Sequence, residues 1–441
     1  MRILQLTPRI PWPPMDGGRV VMLQIARALQ RNGCEVHILS LHPRKHRIDV
    51  EDARRALASI KLDAIDVDTS NSLAAAFKAL VLRTPLIVAR FFDAAYDRAL
   101  RAILQSRSFD LVQMESPFLL PYLQAIRETT KAPVVLRSLN VEFGIWGQLA
   151  ANETNVFRRR LYAHIARTLR RYEVAQLDSC DAIVPITDDD ARLFRDLGCT
   201  RPIHVLPGGV DEASLGASLP VAGIQLPVVR GPGDTPQATG NRQPATDDDT
   251  LPPTANRQPP TRSAYFLGSL DYRPNQEAAL WIAHQLRPRL GHDVRLHIGG
   301  SSAPPSLRVS LAVDGVSLAN DVRDAAAFAA PMDVMIAPLF AGGGMRIKIL
   351  EAMALGKPVV STTIGAAGIG VTDGVNIRLA DDADAFAAAV SELLDSPSRA
   401  RVIGDAGRRF VMERYATDVL ARELLAFYEQ LTHRGDIRGC R

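Results

Sequence analysis

Apolar residues along this chain follow two alternating patterns, short continuous runs and longer stretches with helical spacing. The first run, Arg2 to Leu6, predicts a β-strand, and a second run at Glu35 to Leu39 predicts another. Between them Val21, Ile25 and Leu29 recur at the spacing that buries one face of a helix. A strand, a helix and a strand in this order form the opening unit of a parallel sheet.

The same alternation continues to the end of the chain in two series. The first series predicts further strands at Asp110 to Met114, Pro133 to Leu136 and Asp181 to Ile186. The second predicts strands at Ala264 to Leu267, Val294 to Ile298, Val334 to Ala337 and Pro358 to Ser361, with helices at Asn275 to Leu286 and Ile347 to Ala354. We therefore expect an α/β fold with two Rossmann-like, doubly wound parallel-sheet domains that face each other across a cleft. Ligands bind at the carboxyl ends of the strands in such folds.

A change of composition separates the two series. The character changes from about Val221 to Arg262, where residues 229–262 are rich in Pro, Gly, Thr, Asn and Asp and nearly free of large apolar side chains, so they cannot bury enough surface to offset the entropy of ordering. We expect a disordered linker there, between a first domain at 1–212 and a second at 263–415. Residues 416–432 have an amphipathic pattern, which predicts a final helix that crosses back to the first domain.

Composition and charge narrow the range of functions. The 441 residues are 47% hydrophobic and 23% charged, as in ordinary globular proteins, and the formal net charge of +4 is too small for a dedicated nucleic-acid binder. That charge still permits contact with an anionic membrane. Four scattered cysteines without a CxxC pair predict reduced thiols. With no signal-peptide pattern and no apolar run of about 20 residues, we expect a cytoplasmic protein, with peripheral attachment at the inner face of the membrane left open.

The strongest chemical signal begins at Gly342–Gly344, which follow a predicted strand and precede a predicted helix. Glycines let the backbone approach a ligand closely, and a helix N-terminus offers free N–H groups to a phosphate. Arg346 and Lys348 add two positive charges at the same place. Glu351, on the same helix face as Lys348, could accept hydrogen bonds from ribose hydroxyls. The glycines alone would fit a plain turn, but with these charges the pattern predicts a nucleotide-phosphate site.

A longer string around these residues resembles a known family. The stretch from Pro338 to Val360, which contains GGGMRIKILEAMALGKP, is similar to the donor-binding signature of family 4 glycosyltransferases. Phe266 to Asp271 resembles the start of that family's second domain, and Leu206 to Asp211 the close of its first. The resemblance covers nearly the whole chain outside the linker. It implies the two-lobed GT-B fold, a nucleoside-diphosphate sugar as donor, and transfer with retention of anomeric configuration.

The resemblance also implies roles for particular residues. Gly17 and Gly18 are expected beneath the donor diphosphate, where N–H groups of a strand-to-helix loop can meet phosphate oxygens; a plain tight turn is the alternative. Glu351 corresponds to the second glutamate of a family pair and is expected on the donor ribose. Gly268 and Ser269, at the start of the second domain, are expected to contact the donor as well.

Departures from the family pattern fall in the donor site. The first glutamate of the pair is replaced by Gly343, and the Arg and Lys that commonly hold the phosphates are replaced by Ser269 and Asn275. We infer that Arg346 and Lys348 supply the lost positive charge from the other loop. Residues two apart on a helix point about 200° apart, so Arg346 can share a phosphate with Lys348 only if it precedes the helix or lies in its first turn.

Another departure falls in the first domain. In the string Arg137 to Glu142, Leu139 occupies the place where the family commonly has a histidine beside the transferred sugar. Either Asn140 and Glu142 share its catalytic duty, or catalysis is altered. Glu142 could be an acceptor-site base, and a partner in a structural ion pair is the equal alternative.

Acidic clusters that suggest a metal have plainer explanations. Asp66-Val67-Asp68 matches the DxD motif of other glycosyltransferases but lies in a weakly patterned stretch, and Asp188 to Asp190 is typical of a helix start. We expect no metal and no other cofactor. Cationic side chains and loop N–H groups would instead stabilise the departing diphosphate.

Together these patterns predict a glycosyltransferase that moves a hexose-type sugar to a glycan, lipid-linked or small-molecule acceptor, in cell-surface polysaccharide or glycoconjugate synthesis. A nucleotide-sugar epimerase on the same fold and a nonenzymatic relative that binds nucleotide sugar are the alternatives. The segment Phe157 to Tyr172 carries six arginines among apolar residues at helical spacing. It could lie on an anionic membrane that holds a lipid-linked acceptor, or form a packed helix with a solvated basic face.

Overall fold

The computed structural model describes residues 1–14, 17–44, 47–70, 72–211, 262–322, 324–341 and 345–438. The linker predicted for residues 213–262 lies outside these ranges except for Arg262, which begins a strand.

The first sheet is built from parallel strands of the N-terminal half. They are β1 (Arg2–Thr7), β2 (Glu35–Pro43), β3 (Lys61–Val67), β4 (Leu111–Met114), β5 (Val134–Ser138) and β6 (Ala182–Pro185). Their order across the sheet is β3-β2-β1-β4-β5-β6, so the chain starts in the middle and winds outward in both directions.

Helices cover both faces of this sheet. They are α1 (Gly17–Arg31), α2 (Val50–Ala56), α3 (Leu73–Leu82), α4 (Leu86–Ala89), α5 (Ala94–Ser106), α6 (Leu123–Thr129), α7 (Glu142–Asn152), α8 (Val156–Ala175) and α9 (Asp188–Asp196), with a 3-10 turn at Pro117–Tyr122. α1 buries Val21, Ile25 and Leu29, the face that the sequence predicts. α9 begins where predicted, because the Thr187 hydroxyl caps it by accepting from the Asp190 N–H at 3.0 Å.

The second sheet repeats the plan. Its strands are β7 (Arg262–Ser269), β8 (Val294–Ser301), β9 (Val316–Asn320), β10 (Val334–Ala337), β11 (Val359–Ser361) and β12 (Arg378–Leu379), in the order β12-β11-β10-β7-β8-β9. Its helices are α10 (Arg273–Trp281), α11 (Pro305–Ser310), α12 (Ala325–Ala329), α13 (Ile347–Ala354), α14 (Ala383–Asp395), α15 (Pro397–Arg414) and α16 (Thr417–Arg438). Within the part of the chain that the structure describes, no helix has both the length and the apolar character needed to cross a bilayer.

The predicted fold class is confirmed: two doubly wound parallel sheets form an α/β protein with two Rossmann-like domains. One predicted helix is shorter than expected, since Asn275 to Leu286 is α10 followed by a π turn at Ile282–Leu286 and a 3-10 turn at Arg287–Arg289. Strands β3, β9 and β12 were not predicted, and all of them are sheet edges with largely half-exposed residues.

The last helix joins the two halves. α16 follows α15 of the second domain, yet its Leu424 and Tyr428 are fully buried in the core of the first domain. The Tyr428 hydroxyl donates a 2.7 Å hydrogen bond to Gln113 Oε1 on β4. At the start of α16, Val210 and Ala416 form a parallel bridge. Through these contacts the last helix connects the second domain to the core of the first.

Candidate active site

A cavity of about 380 Å³ lies between the two domains. The first domain lines it with α1, through Leu23 and Arg27 among others, and the second domain with β7 and α13. Lys348 and Glu351 of α13 both line this cavity. The structure thus brings the two residues of the predicted donor motif together at the domain interface.

Lys348 reaches from α13 to the first turn of α10. Its Nζ donates a 2.7 Å hydrogen bond to Asn275 Oδ1 and lies 4.5 Å from the centre of the Phe266 ring. Asn275 is the position at which the family pattern has a lysine. The ammonium of Lys348 therefore occupies the region from which that lysine is missing, which supports the inference that Lys348 replaces the lost charge.

Gly268 allows this close approach at the end of β7. A Cβ atom there would lie 2.6 Å from Lys348 Nζ and 2.9 Å from the side-chain nitrogen of Asn275. The Asn275 amide also donates to Ser269 O at 2.8 Å, and Ser269 Oγ donates to Asp271 at 2.6 Å. A side chain at position 268 would displace the lysine, so Gly268 and Ser269 contribute to this site by placing Lys348.

Burial moves the pKa values of Lys348 and Glu351, both on α13, toward neutral pH. The pKa of Lys348 is lowered to about 7, first by burial and then by the charge of Arg346, while Glu351 opposes the shift. Burial raises the pKa of Glu351 to about 7, against the effect of Lys348. A bound anion would favour the charged form of the ammonium, so the site can change its charge when a ligand enters.

Arg346 lies at the N-cap of α13, with φ −89° and ψ 81°, and the helix begins one residue later at Ile347. It therefore precedes the helix, which is the condition under which it can share a phosphate with Lys348. Its guanidinium donates a 3.4 Å hydrogen bond to Ala341 O, and burial lowers its pKa. Gly342–Gly344, the predicted phosphate loop, lie outside the described residues.

A second cavity, of about 370 Å³, lies in the first domain. It is lined by Leu139, Asn140 and Glu142, which follow β5 on the predicted acceptor side. Gly18 lines this cavity rather than the one between the domains. Gly17 begins α1, and a Cβ atom there would meet nothing within 4 Å. A role for either glycine beneath the donor diphosphate stays a prediction.

Glu142 begins α7 close to a second carboxyl, Glu173 of α8. The Phe143 N–H donates a 3.0 Å hydrogen bond to Glu173 Oε1. Burial raises the pKa of Glu173 to about 8, with Glu142 as the next cause. Burial also raises the pKa of Glu142 to about 7, against the attraction of Arg9. Glu142 is thus a carboxyl at the cavity that gains and loses its proton near neutral pH.

A buried polar network behind this cavity was missed by the sequence patterns. Glu115 lines the cavity and accepts hydrogen bonds from Gln5 at 2.6 Å, from Arg137 at 3.0 and 3.1 Å, and from Gln113. Gln113 in turn accepts from Tyr428 of α16. Because these residues come from three strands and a distant helix, no local spacing in the sequence reveals the network.

Two aromatic side chains that line the same cavity were not predicted from the sequence either. Phe91 and Phe118 stack with ring centres 4.8 Å apart and planes 6° from parallel. The Arg90 guanidinium lies 5.3 Å from the centre of the Phe91 ring. These residues follow α4 or belong to the 3-10 turn at Pro117–Tyr122, where the sequence has no periodic pattern that would single them out.

The acidic motif at Asp66 and Asp68 makes local contacts. Asp66 Oδ1 lies 2.7 Å from His42 Nδ1, and Asp68 pairs with Arg44 at 3.5 Å. Among the residues described, no group of three or more His, Cys, Asp and Glu side chains is arranged to hold a metal ion. Asp66 belongs to the edge strand β3, and Asp68 follows its last residue.

Comparisons with known families agree with this geometry. A model described as Glycosyltransferase Family 4 matches residues 15–214, and one described as Glycosyl transferases group 1 matches residues 261–396. The two matches fall on the first and the second domain in turn. Together with the fold, they support a glycosyltransferase of the GT-B class.

Characterised relatives are similar over parts of the chain. An MMP alpha-(1->4)-mannosyltransferase from Mycolicibacterium hassiacum is 37% identical over 94 residues, 21% of this chain and 23% of the relative. A phosphatidyl-myo-inositol mannosyltransferase from Mycolicibacterium smegmatis is 31% identical over 188 residues, 40% of this chain and 46% of the relative. Each match therefore spans less than half of the relative's length.

Solved structures with the same fold align with nearly the full length of the chain. A glycosyltransferase from Rickettsia africae aligns with a TM-score of 0.64 and 14% identity, over 98% of both chains. Anabaena HepE in complex with UDP aligns with a TM-score of 0.60 and 13% identity, over 98% of this chain and 100% of that one. The two-domain architecture is the GT-B fold.

We predict that Glu173→Gln stabilises the protein at alkaline pH. A carboxyl whose pKa is raised from 4.5 to about 8 on folding loses stability as the pH rises from the first value through the second. The amide cannot ionise, yet its oxygen still accepts from the Phe143 N–H. Since one pKa unit corresponds to about 1.4 kcal/mol and about three units are covered, the variant should gain roughly 4 kcal/mol over the wild type between pH 4.5 and pH 8.5.

Urea unfolding at both pH values measures this gain. Glu413→Gln, an exposed change on α15, is the matched control and should follow the wild type. An identical pH dependence of the wild type and Glu173→Gln would show that Glu173 is not held in its protonated form.

Proposed function

We propose that this chain transfers a hexose-type sugar, with retention of configuration, from a nucleoside-diphosphate sugar to a hydroxyl acceptor. The observation that carries the proposal is the position of Lys348, whose ammonium lies at the end of β7 beside Gly268 and Asn275. The matches to two glycosyltransferase family models support it independently. The donor would bind in the cavity between the domains and the acceptor in the first-domain cavity.

The donor side stabilises the leaving group. Lys348 and Arg346 would bind the diphosphate, and an anion there favours the protonated form of Lys348 over the neutral form. Glu351 would accept hydrogen bonds from the ribose hydroxyls. Charge develops on the departing diphosphate in the transition state, so fixed cations in a site of low polarity lower the barrier. The chemistry proposed here uses no metal, since the two side chains supply the positive charge.

The acceptor side positions a hydroxyl on the same face of the sugar as the leaving group. In a same-face reaction a phosphate oxygen takes the proton of the acceptor, so no separate catalytic base is required. Glu142 and Asn140 would orient the acceptor hydroxyl by hydrogen bonds, because both line the first-domain cavity.

Similar proteins support the substrate class. Two relatives are named as mannosyltransferases, and a structural neighbour was solved with UDP. We propose a glycan or a lipid-linked molecule as acceptor, in the synthesis of a cell-surface polysaccharide or glycoconjugate. The protein would act in the cytoplasm, at the inner face of the membrane.

The helical hairpin of α7 and α8 supports peripheral membrane contact. Phe157 and Leu161 of α8 are 81% and 55% exposed, and Arg158, Arg159 and Arg160 lie exposed between them. Exposed apolar side chains beside arginines are typical of a surface that binds anionic lipid headgroups. We propose that this hairpin rests on the membrane that carries the acceptor.

Lys348→Met should abolish sugar transfer and leave the fold intact. The change removes the ammonium but keeps a side chain of similar length against Phe266. Loss of a charge-assisted bond to the diphosphate costs about 1.5–3 kcal/mol in nucleotide binding, and loss of transition-state stabilisation lowers turnover on the order of 100-fold or more. Calorimetry with UDP and GDP measures the first effect, and turnover of a UDP- and GDP-sugar panel the second.

The exposed change Lys131→Met is the control for this experiment. Full transfer by Lys348→Met would refute the donor assignment. Binding to the wild type should also weaken as the pH rises above 7, because Lys348 then loses the proton that the anion requires. Glu351 ionises over the same pH range and weakens anion binding as well, so a Glu351→Gln background isolates the contribution of Lys348. NMR of the product tests retention, and an inverted anomer would refute the mechanism. Turnover of donor alone to an epimer would indicate an epimerase instead.

Replacing Arg158, Arg159 and Arg160 together by Gln should weaken binding to anionic vesicles. Each arginine near an anionic surface contributes about 1 kcal/mol, so affinity for phosphatidylglycerol vesicles should fall on the order of 100-fold. Vesicle co-sedimentation measures this, with phosphatidylcholine vesicles as the uncharged reference. The charge-matched control replaces the exposed Arg401, Arg408 and Arg409 of α15. An equal loss of vesicle affinity in both triple variants would show that the hairpin is not the membrane-binding surface.

A further inference from the structure

The first-domain cavity has a cation that no step of the proposed reaction uses. Arg90 follows α4 and lines this cavity together with Phe91, Phe118 and Glu142. The cavity that contains Lys348 shares none of these lining residues, although α1 borders both. Arg90 is therefore placed to meet the acceptor rather than the donor diphosphate.

The charge of Arg90 is not balanced by the residues that the structure describes. Its Nε is buried and has no hydrogen-bond partner among them. Burial lowers the pKa of Arg90, and no neighbouring acid opposes the shift. Buried polar groups in folded proteins are nearly always hydrogen-bonded, so this arginine, with an unsatisfied Nε and no acid acting on its charge, would be stabilised by an anion that reaches the guanidinium from the cavity.

The carboxylates of the cavity do not fill this role. Glu115 is already held by Arg137 and two glutamine amides. Glu142 has a pKa of about 7 and is therefore partly neutral at physiological pH, and the positive charge that acts on it comes from Arg9 rather than from Arg90. Among the described residues, no acid acts on the charge of Arg90 at this cavity.

The remaining wall fits a sugar ring. Phe91 and Phe118 stack and line the cavity, and Leu139 adds an apolar side chain nearby. A hexose has an apolar face of C–H groups that packs on aromatic rings and a rim of hydroxyls that needs polar partners. The cavity thus combines an aromatic surface with a cation next to it.

We infer that the acceptor is an anionic glycoside, whose carboxylate or phosphate group is bound by Arg90 while its sugar ring packs against Phe91 and Phe118. A guanidinium binds both anions through paired N–H donors, so the two groups share one recognition chemistry. The inference rests on the proposed function, since that function makes this cavity the acceptor site.

The test measures binding of three monosaccharide probes to the UDP- or GDP-saturated protein by calorimetry or saturation-transfer NMR. The probes are methyl glucuronide, glucose 1-phosphate and the neutral methyl glucoside. The wild type should bind at least one anionic probe 10-fold or more tightly than the neutral one, and the preferred probe identifies carboxylate or phosphate. Arg90→Gln should reduce this preference at least 10-fold while nucleotide binding stays unchanged.

Two further variants separate charge from packing. Arg90→Lys keeps the positive charge and should retain part of the preference for anionic probes. Arg90→Met keeps contact with the Phe91 ring but should lose that preference. Arg98→Gln, an exposed change on the adjacent α5, is the matched control. Thermal unfolding checks that each variant is folded.

The outcomes distinguish this inference from the proposed function. Equal affinity for charged and neutral probes, no binding of either anionic probe, or an unchanged preference in Arg90→Gln would each overturn the inference and leave donor binding standing. Failure of the wild type to bind any nucleotide or turn over any donor would instead overturn the proposed function, and the inference with it.

Discussion

A buried ammonium with weak partners is the constraint on which the candidate site depends. Lys348 Nζ is held by the amide oxygen of Asn275 and the face of Phe266, neither of which carries a full negative charge. Burying a charge without a close counter-ion is costly, and the lowered pKa of Lys348 expresses that cost. The arrangement persists because β7 and α13 are each fixed by the core of the second domain. An anion that enters the cavity relieves the cost, which gives a direct physical reason for binding a diphosphate.

The fold determines where such a charge can act. Parallel strands end at one edge of each sheet, so Glu142, at the start of the helix that follows β5, and Gly268, near the end of β7, lie at such edges. α16 then anchors the second domain on the first through Tyr428, whose hydroxyl bonds to Gln113. Gln113 also bonds to Glu115, which lines the acceptor-side cavity. The contact that sets the domain arrangement is thus continuous with the polar network behind one substrate cavity.

The sequence predicts the parts of this structure that depend on local pattern. Central strands such as β10 are buried on both faces and appear as apolar runs, whereas the edge strands β3, β9 and β12 are half exposed and do not. Lys348 was predicted from its motif, but its bond to Asn275 joins residues 73 positions apart and required the fold. The raised pKa of Glu173 depends on burial by neighbouring elements, which no local spacing encodes.

We propose that burial compensates a departure from the family pattern on the predicted acceptor side. Leu139 replaces a histidine, a side chain that normally titrates near pH 6.5 and can both donate and accept hydrogen bonds. Glu142 lines the same cavity, and burial raises its pKa to about 7. A carboxyl with this pKa exists in both protonation states near neutral pH, so it can donate to one acceptor oxygen or accept from another. In place of the histidine, the cavity therefore has the Glu142 carboxyl, which titrates in a similar pH range because it is buried.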